Sequence, residues 1–442
     1  MPRSKDYGIA LGWPMGAGQY AASGGGVTPL SSNEFIVFGD SRTQVSTGDF
    51  PDTKTINAEG YPCWVLQFSG YKLKLARGGN FGVGGDSTTQ MLARIAAVLA
   101  HPCPNVILLG GVNDSSLSES LTNYPLLIDQ LIGGGKRVIM GNELPFTSGN
   151  SGQQDAQIGR RDWIEDPARL VSYPSLIVVD TFRPMWNSAT YCDFKTGYAP
   201  DGLHPATLGN SVLGNTIATA LAPYISSFTS YRNAPTVNTD NYDAATNPFG
   251  CLVAGYMMEG TGGRVDNVLN TGVATGWNVG TTNAGGATVT VSKGVDSDGF
   301  PTQIIEITGT ATAGSRAVTL SALTNSAGDL LKLLPNDNIA ASARVKVVRN
   351  VGLRGVGIGA QVNGTYGGSA ANLTVYNFAG TTNGNRDTDL DLVCASQIAA
   401  VNAGWATGTS RIYGAIDNIA FSGGSGLDMR IEISRNGLRK VA

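Results

Sequence analysis

Histidine is nearly missing from this chain: His101 and His204 are the only two among 442 residues. With no His-Glu-x-x-His signature and so few imidazoles, the usual zinc sites lack their ligands. The five cysteines, Cys63, Cys103, Cys192, Cys251 and Cys394, are odd in number and far apart. They form neither a disulfide framework nor a paired metal-ligand spacing, and they read as isolated buried thiols. No metal and no cofactor is expected. Charged residues are sparse at 14%, and the net charge of −3 leaves no basic footprint for a nucleic-acid partner. No stretch approaches the roughly 18 apolar residues of a membrane span. The start, Met1-Pro2-Arg3-Ser4-Lys5-Asp6, carries no apolar secretory segment. Two glycine-rich runs are also set aside. Gly133-Gly-Gly-Lys136-Arg137 lacks the rest of a phosphate loop and reads as a helix-to-strand turn, while Gly355-Val-Gly-Ile-Gly359 reads as a strand.

Two grammars divide what is present. From residue 31 to 230, apolar strand-like runs alternate with helical patterns. The strands are expected at Glu34–Phe38, Lys72–Ala76, Asn105–Leu109, Arg137–Gly141 and Leu176–Asp180. Helices are expected near Thr88–Ala100, Ser118–Ile132, Gln154–Ser172 and Ala206–Ser227. Continuous apolar strands alternating with helices imply a parallel sheet covered on both faces. Residues 1–30 look irregular, and 231–248 have a linker's composition. From 249 to 442 the texture is short alternating runs, including Ala287–Val291, Gln303–Ile307, Ala341–Val345 and Met429–Ile433. Turn signals such as Asp298-Gly299 and Asn363-Gly364 separate them, as in an antiparallel β-sandwich of jelly-roll type.

Each candidate chemical group in the first half stands after an expected strand or before the last helix. Ser41 follows the first strand in Gly39-Asp40-Ser41, and Asn80–Asp86 follows the second. Gly111-Val-Asn113-Asp114 follows the third, and Asp201-Gly-Leu-His204-Pro205 precedes the final helix. On an open parallel sheet these places converge on one edge. Acyl transfer needs a nucleophile, a base, a group that orients the base, and donors facing the oxyanion. Ser41 can attack, His204 can act as base and then acid, and Asp201 can orient the imidazole. The backbone N–H groups of Ser41 and Gly85 and the side-chain amide of Asn113 are natural oxyanion donors. Taken alone, each piece has a plainer reading: Ser41 as a helix cap, Asn113-Asp114 as a turn, Asp201 as the cap of the last helix. His101, in His-Pro-Cys-Pro at the amino end of the sheet, reads as a structural loop histidine. Asp40 and Asp114 read as supports for the site's hydrogen bonds. The absence of a Gly-x-Ser-x-Gly elbow separates the chain from the α/β-hydrolases.

In order and spacing, these four segments resemble the four blocks of the SGNH, or GDSL-type, hydrolases over roughly residues 33–228. The resemblance implies a flavodoxin-like three-layer α/β/α fold and a Ser41/His204/Asp201 triad. It also implies an oxyanion hole of Ser41, Gly85 and Asn113, and it selects Gly85 over Gly82 and Gly84. One departure is that Arg42 stands where the family's usual Gly-Asp-Ser-Leu has leucine, a place from which it could affect substrate entry.

Members of that family hydrolyse lipid esters, thioesters and sugar O-acetyl groups. The appended sandwich favours an O-acetyl ester on a polysaccharide as substrate, since such domains often hold a hydrolase on a glycan. Trp277, Tyr366, Tyr376, Trp405 and Tyr413 could offer flat faces to sugar rings, or could fill the sandwich core. Asn142–Asp166, with Pro145, Phe146 and Trp163, and the segment around Trp186 are expected to shape substrate choice. The rivals are a short-chain lipid or thioester hydrolase, and a non-catalytic glycan-binding protein on a vestigial scaffold. The Gly-, Thr- and Asn-rich second half is similar to phage tail fibres and tailspikes. That likeness implies a homo-oligomer, a trimer if a tail protein, placed in the virion tail. Export by a non-classical route and a cytoplasmic location are the alternatives.

Overall fold

The computed structural model describes residues 19–20, 28–45, 55–56 and 60–225, and most of 227–441. Within that last stretch, 229–234, 236, 238, 254, 323–333, 335–336, 367–368, 378–389, 397–398 and 401–410 are outside the description. Most of the irregular segment expected at 1–30 is outside it too, as is Trp405.

Five parallel strands form the first sheet: β1 (Glu34–Gly39), β2 (Lys74–Gly82), β3 (Asn105–Leu109), β4 (Arg137–Gly141) and β5 (Ile177–Val179). Their order is β2-β1-β3-β4-β5, and Gln19–Tyr20 adds an antiparallel edge beside β5. This is the flavodoxin-like order, whose ligand crevice lies where the order reverses, between β1 and β3. Eight helices are described: α1 (Ser41–Gln44), α2 (Tyr61–Phe68), α3 (Thr88–Ala93), α4 (Ile95–Ala100), α5 (Leu117–Gly133), α6 (Ser151–Glu165), α7 (Pro167–Ser172) and α8 (Thr207–Leu221).

Strand alternation sorts the sheet's side chains into two buried layers. Ile36, Phe38, Val106, Leu108, Val138 and Met140 pack with Met91, Ile95, Leu127 and Ile128 of α3, α4 and α5. Phe35, Val37, Ile107, Leu109 and Ile139 face the other way, toward Trp64 of α2 and Leu213 and Ile217 of α8. Both faces are therefore covered, which is why the strands read as unbroken apolar runs. α2 was not expected from the sequence. Its signals are short: Gly60 at the cap and Pro62 in the first turn.

Among the described residues, the strands of the second half pair antiparallel apart from two short parallel pairings. One sheet runs in the order Thr55–Ile56, Ser369–Asn377, Leu353–Tyr366, Arg411–Ser422, Ser315–Ala322, Trp277–Gly280, Gly263–Val265, Val268–Asn270. The other runs Thr288–Val295, Pro301–Gly309, Leu427–Val441, Asn338–Val351, Leu390–Ala395. Alternate residues such as Ile339, Ala341, Ala343, Val345 and Val347, or Met429, Ile431 and Ile433, fill the space between the sheets. Asn363-Gly364, expected as a turn, lies inside the strand Leu353–Tyr366. Its pairing with Asn372 and Ala371 on one side, and of Asn363 with Arg411 on the other, keeps it extended.

Of the stretch read as a linker, Asp240 pairs with Arg439, and just beyond it the Leu252 N–H donates to the Leu438 carbonyl at 2.7 Å. The α/β layer also touches the sandwich: Tyr71 accepts the Ala395 N–H at 2.7 Å, and the same apolar cluster continues across.

Candidate active site

Ser41 is the first residue of α1, at the carboxyl end of β1. Asp40 caps this turn by accepting the Arg42 N–H at 2.9 Å. Asp40 and Arg42 on either side are buried, while Ser41 is only partly so. The backbone thus presents one hydroxyl outward from a fixed base.

The second group is built by a tight turn before α8. The Asp201 Oδ1 accepts the N–H of Leu203 at 2.9 Å and of His204 at 2.7 Å. Its Oδ2 stands 2.7 Å from His204 Nδ1, and His204 Nε2 is 2.8 Å from Ser41 Oγ. A carboxylate at Nδ1 favours the tautomer with its proton there, leaving the Nε2 lone pair toward the hydroxyl. Burial alone would raise the Asp201 carboxyl, but the His204 and Leu203 N–H groups and then the His204 ring hold it below its ordinary value. Gly202 at the centre has φ 76°, and a Cβ there would lie 2.6 Å from the Ser148 nitrogen. Only glycine lets this turn close against the loop after β4.

Gly85 has φ 81°, is exposed, and has open space where a Cβ would be. Asn113 follows β3 and gives one side-chain N–H to the Asp86 carbonyl at 3.1 Å, which leaves its second N–H for another acceptor. Asp114 fixes the same turn by accepting the Thr88 N–H at 2.6 Å and the Thr88 and Ser120 hydroxyls at 2.9 and 2.5 Å. Burial pushes the Asp114 carboxyl above its usual range, against those bonds.

Arg42 does not face a substrate entrance: it is 1% exposed and paired with Asp40 and Glu143 at 2.7 and 2.9 Å. The buried side of α1 is completed by these carboxylates, so a cation is held there. Asn80 is not in a loop after β2 but inside that strand, which runs on to Gly82. Its side chain donates to the Gln44 carbonyl at 3.1 Å and accepts the Gly82 N–H at 2.9 Å, tying β2 to α1. Sequence reasoning missed Arg94. It donates to Asp86 at 2.5 Å, to the Phe81 carbonyl at 2.7 Å and to the Gly39 carbonyl at 2.8 Å, so it clamps the Ser41 strand to the Gly85 loop. The one signal was a lone arginine between two short apolar helices.

His101 lies away from this group, bonded to the Arg77 carbonyl at 3.0 Å and the Cys103 N–H at 3.1 Å. Much of Asn142–Asp166 is helix α6, and Trp163 packs on Tyr124 rather than on the site. Phe146 joins Val112, Phe182, Trp186 and Leu203 in a small apolar cluster, and two of these, Val112 and Leu203, directly precede Asn113 and His204. In the sandwich, Trp277 is fully buried with its indole N–H on the Gly255 carbonyl at 2.8 Å, so it is core and offers no face to a sugar. The side chains of Tyr366, Tyr376 and Tyr413 lie outside the described residues. No described helix is long and apolar enough to cross a membrane.

Residues 37–212 match the GDSL-like lipase/acylhydrolase family. No curated protein matches the chain. Among solved structures, an acetylxylan esterase from Geobacillus stearothermophilus is 16% identical at a TM-score of 0.35, with 47% of this chain and 99% of that one covered. A protein assigned to the G-D-S-L lipolytic family from Desulfitobacterium hafniense is 18% identical at 0.35, over 43% and 100%. A member of the same family from Veillonella parvula is 21% identical at 0.31, over 41% and 94%. These likenesses span less than half of this chain. The four sequence blocks, the 2-1-3-4-5 parallel sheet and the match to the GDSL-like lipase/acylhydrolase family all fall on the same stretch of this chain.

Proposed function

We propose that this hydrolase is a serine esterase that removes O-acyl groups, O-acetyl in the first instance, from a polysaccharide. Ser41 is the nucleophile, His204 the base and then the acid, and Asp201 the group that orients the imidazole. The Ser41 and Gly85 N–H groups and the Asn113 amide receive the oxyanion. The observation that carries this reading is the unbroken relay from Asp201 through His204 to Ser41, at 2.7 and 2.8 Å. In the first half-reaction Ser41 Oγ bonds to the ester carbonyl carbon as its proton passes to His204 Nε2. The sugar oxygen then leaves with that proton. Water, deprotonated by the same nitrogen, releases the acid and restores the serine.

The polymeric alcohol is supported by the openness of the site. The His204 and Asp201 side chains are 39% and 55% exposed, so among the described residues that side of the relay is open to a bulky leaving group. A sandwich domain appended to an open site suits a substrate that extends beyond it. Acetate release from acetylated polysaccharides, with Ser41→Ala as control, tests the proposal. Release by the parent and none by the variant supports it. Activity only on long-chain lipid esters would replace the substrate class, and equal release by both proteins would remove the mechanism. If the sandwich also assembles the chain as tail fibres do, light scattering will give the mass of a trimer, and a monomer mass contradicts that assembly.

A further inference from the structure

Ser41 and Asn113 act on the same carbonyl in the proposed reaction, so their separation must be held closely. They follow β1 and β3, and a buried chain of side chains connects the two turns. Arg42 donates to Glu143 Oε2 at 2.9 Å, and Gln157 donates to that same oxygen at 2.7 Å. Arg160 donates to Gln157 Oε1 at 2.9 Å and to the Ser120 hydroxyl at 2.6 Å, and Ser120 donates to Asp114 Oδ2 at 2.5 Å. One end of the chain flanks Ser41, through Asp40 and Arg42. The other end is the residue after Asn113.

We propose that Glu143, Gln157, Arg160 and Ser120 are positioning residues that set the Ser41 turn against the Asn113 turn without touching substrate. The proposal rests on the esterase reading given above. Every link is buried, so water cannot stand in for a missing partner. Arg42 lies between the Asp40 and Glu143 carboxylates, and Arg160 is linked to Glu143 and Asp114 through the neutral Gln157 and Ser120, so displacement at one end is passed along the hydrogen bonds. Glu143 holds a left-handed backbone at φ 79°, a conformation that a non-glycine residue keeps only when its surroundings fix it. Its other carboxylate oxygen accepts the Tyr124 hydroxyl at 3.0 Å. Tyr124 also lies 3.0 Å from the Gly110 carbonyl, a second tie to the segment leading to Asn113.

The test compares Ser120→Ala, Arg160→Met and Arg160→Lys for kcat and KM on a short-chain p-nitrophenyl ester. Fluorophosphonate titration counts competent serines, and thermal unfolding reports the folded fraction. Ser120→Ala deletes one relay hydroxyl while Arg160 keeps its bond to Gln157 and Asp114 its two bonds from Thr88, and it keeps the test open if Arg160→Met fails to fold. It should lower kcat roughly tenfold per folded molecule with KM nearly unchanged, the order of one buried hydrogen bond. Arg160→Met should lose about 10²-fold, as for a displaced reacting group, and Arg160→Lys should recover part of it. In an Asn113→Ala background the Ser120→Ala effect should largely vanish, because the relay then positions nothing. Full kcat per folded molecule in Ser120→Ala, or additive losses with Asn113→Ala, overturns the positioning role while leaving the esterase reading in place. Parent protein that neither turns over ester nor takes the label overturns both.

Discussion

Placing at position 42 the leucine of the usual Gly-Asp-Ser-Leu motif should damage this protein. The Arg42 guanidinium donates to Asp40 at 3.1 and 2.7 Å and to Glu143 at 2.9 Å, with all three side chains buried. In Arg42→Leu, Glu143 keeps its bonds from Tyr124 and Gln157 but loses its adjacent countercharge. Removing one partner of a buried pair costs about 3–5 kcal/mol. Set against a total stability of roughly 5–15 kcal/mol, that is about a fifth or more. At about 2–4 °C per kcal/mol for a domain of this size, the melting point should fall by roughly 6–20 °C. The pH dependence gives a second signature. In the parent, burial raises the Glu143 carboxyl, but Arg42, Arg160 and the hydrogen bonds outweigh it and hold it below its ordinary value. A depressed carboxyl contributes stability above its unfolded value and loses it as pH falls through the folded one. With Arg42 gone, burial dominates, the shift reverses, and protonation relieves the strain. The deficit of the variant should therefore narrow between pH 7 and pH 5, and Glu143→Gln in the same chain should recover part of it. Thermal unfolding followed by circular dichroism reads both effects. A melting point within about 2 °C of the parent at both pH values would refute the reasoning.

Three further outcomes are expected. Gly202→Ala forces a Cβ against the Ser148 nitrogen and a positive φ on alanine, so kcat on a short-chain ester should fall at least tenfold with the Asp201–His204 turn disturbed. Unchanged kcat would show that the turn tolerates the shift. In the sandwich, burial pushes the Asp417 carboxyl well above its ordinary range, while the Asn436 side chain donates to it. The unfolded chain ionises there first, so stability is full below the unfolded value and declines as pH rises toward the folded one. Urea titrations should show that slope shrinking in Asp417→Asn, and an identical slope would contradict it. Trp277→Ala should cost about 3–5 kcal/mol by denaturant unfolding, as for a core aromatic, with no direct effect on ester turnover.

The sequence was most legible where period and turn chemistry agree. β3 and β4 stand at their expected bounds, because unbroken apolar runs leave a parallel strand little freedom. Asp201 and His204 share a short turn, so their contact needs no long-range register. The contact of His204 with Ser41 crosses 163 residues and was legible only through the order of the four blocks. The rest depended on packing between distant elements. Arg42 reads as a residue that could affect substrate entry until Glu143, 101 residues later, is found paired with it. Nothing local distinguishes Trp277 as core from Trp277 as a sugar platform. Asn363-Gly364 carries a turn signal that pairing on both sides overrides.

The central claim is that the Ser41 hydroxyl is a nucleophile driven by His204. Fluorophosphonate treatment followed by peptide mass spectrometry tests it directly. One phosphonyl group per chain on Ser41, lost in Ser41→Ala and strongly slowed in His204→Ala, is the predicted result. A folded parent protein that stays unmodified, or that carries the label on another residue, would contradict it.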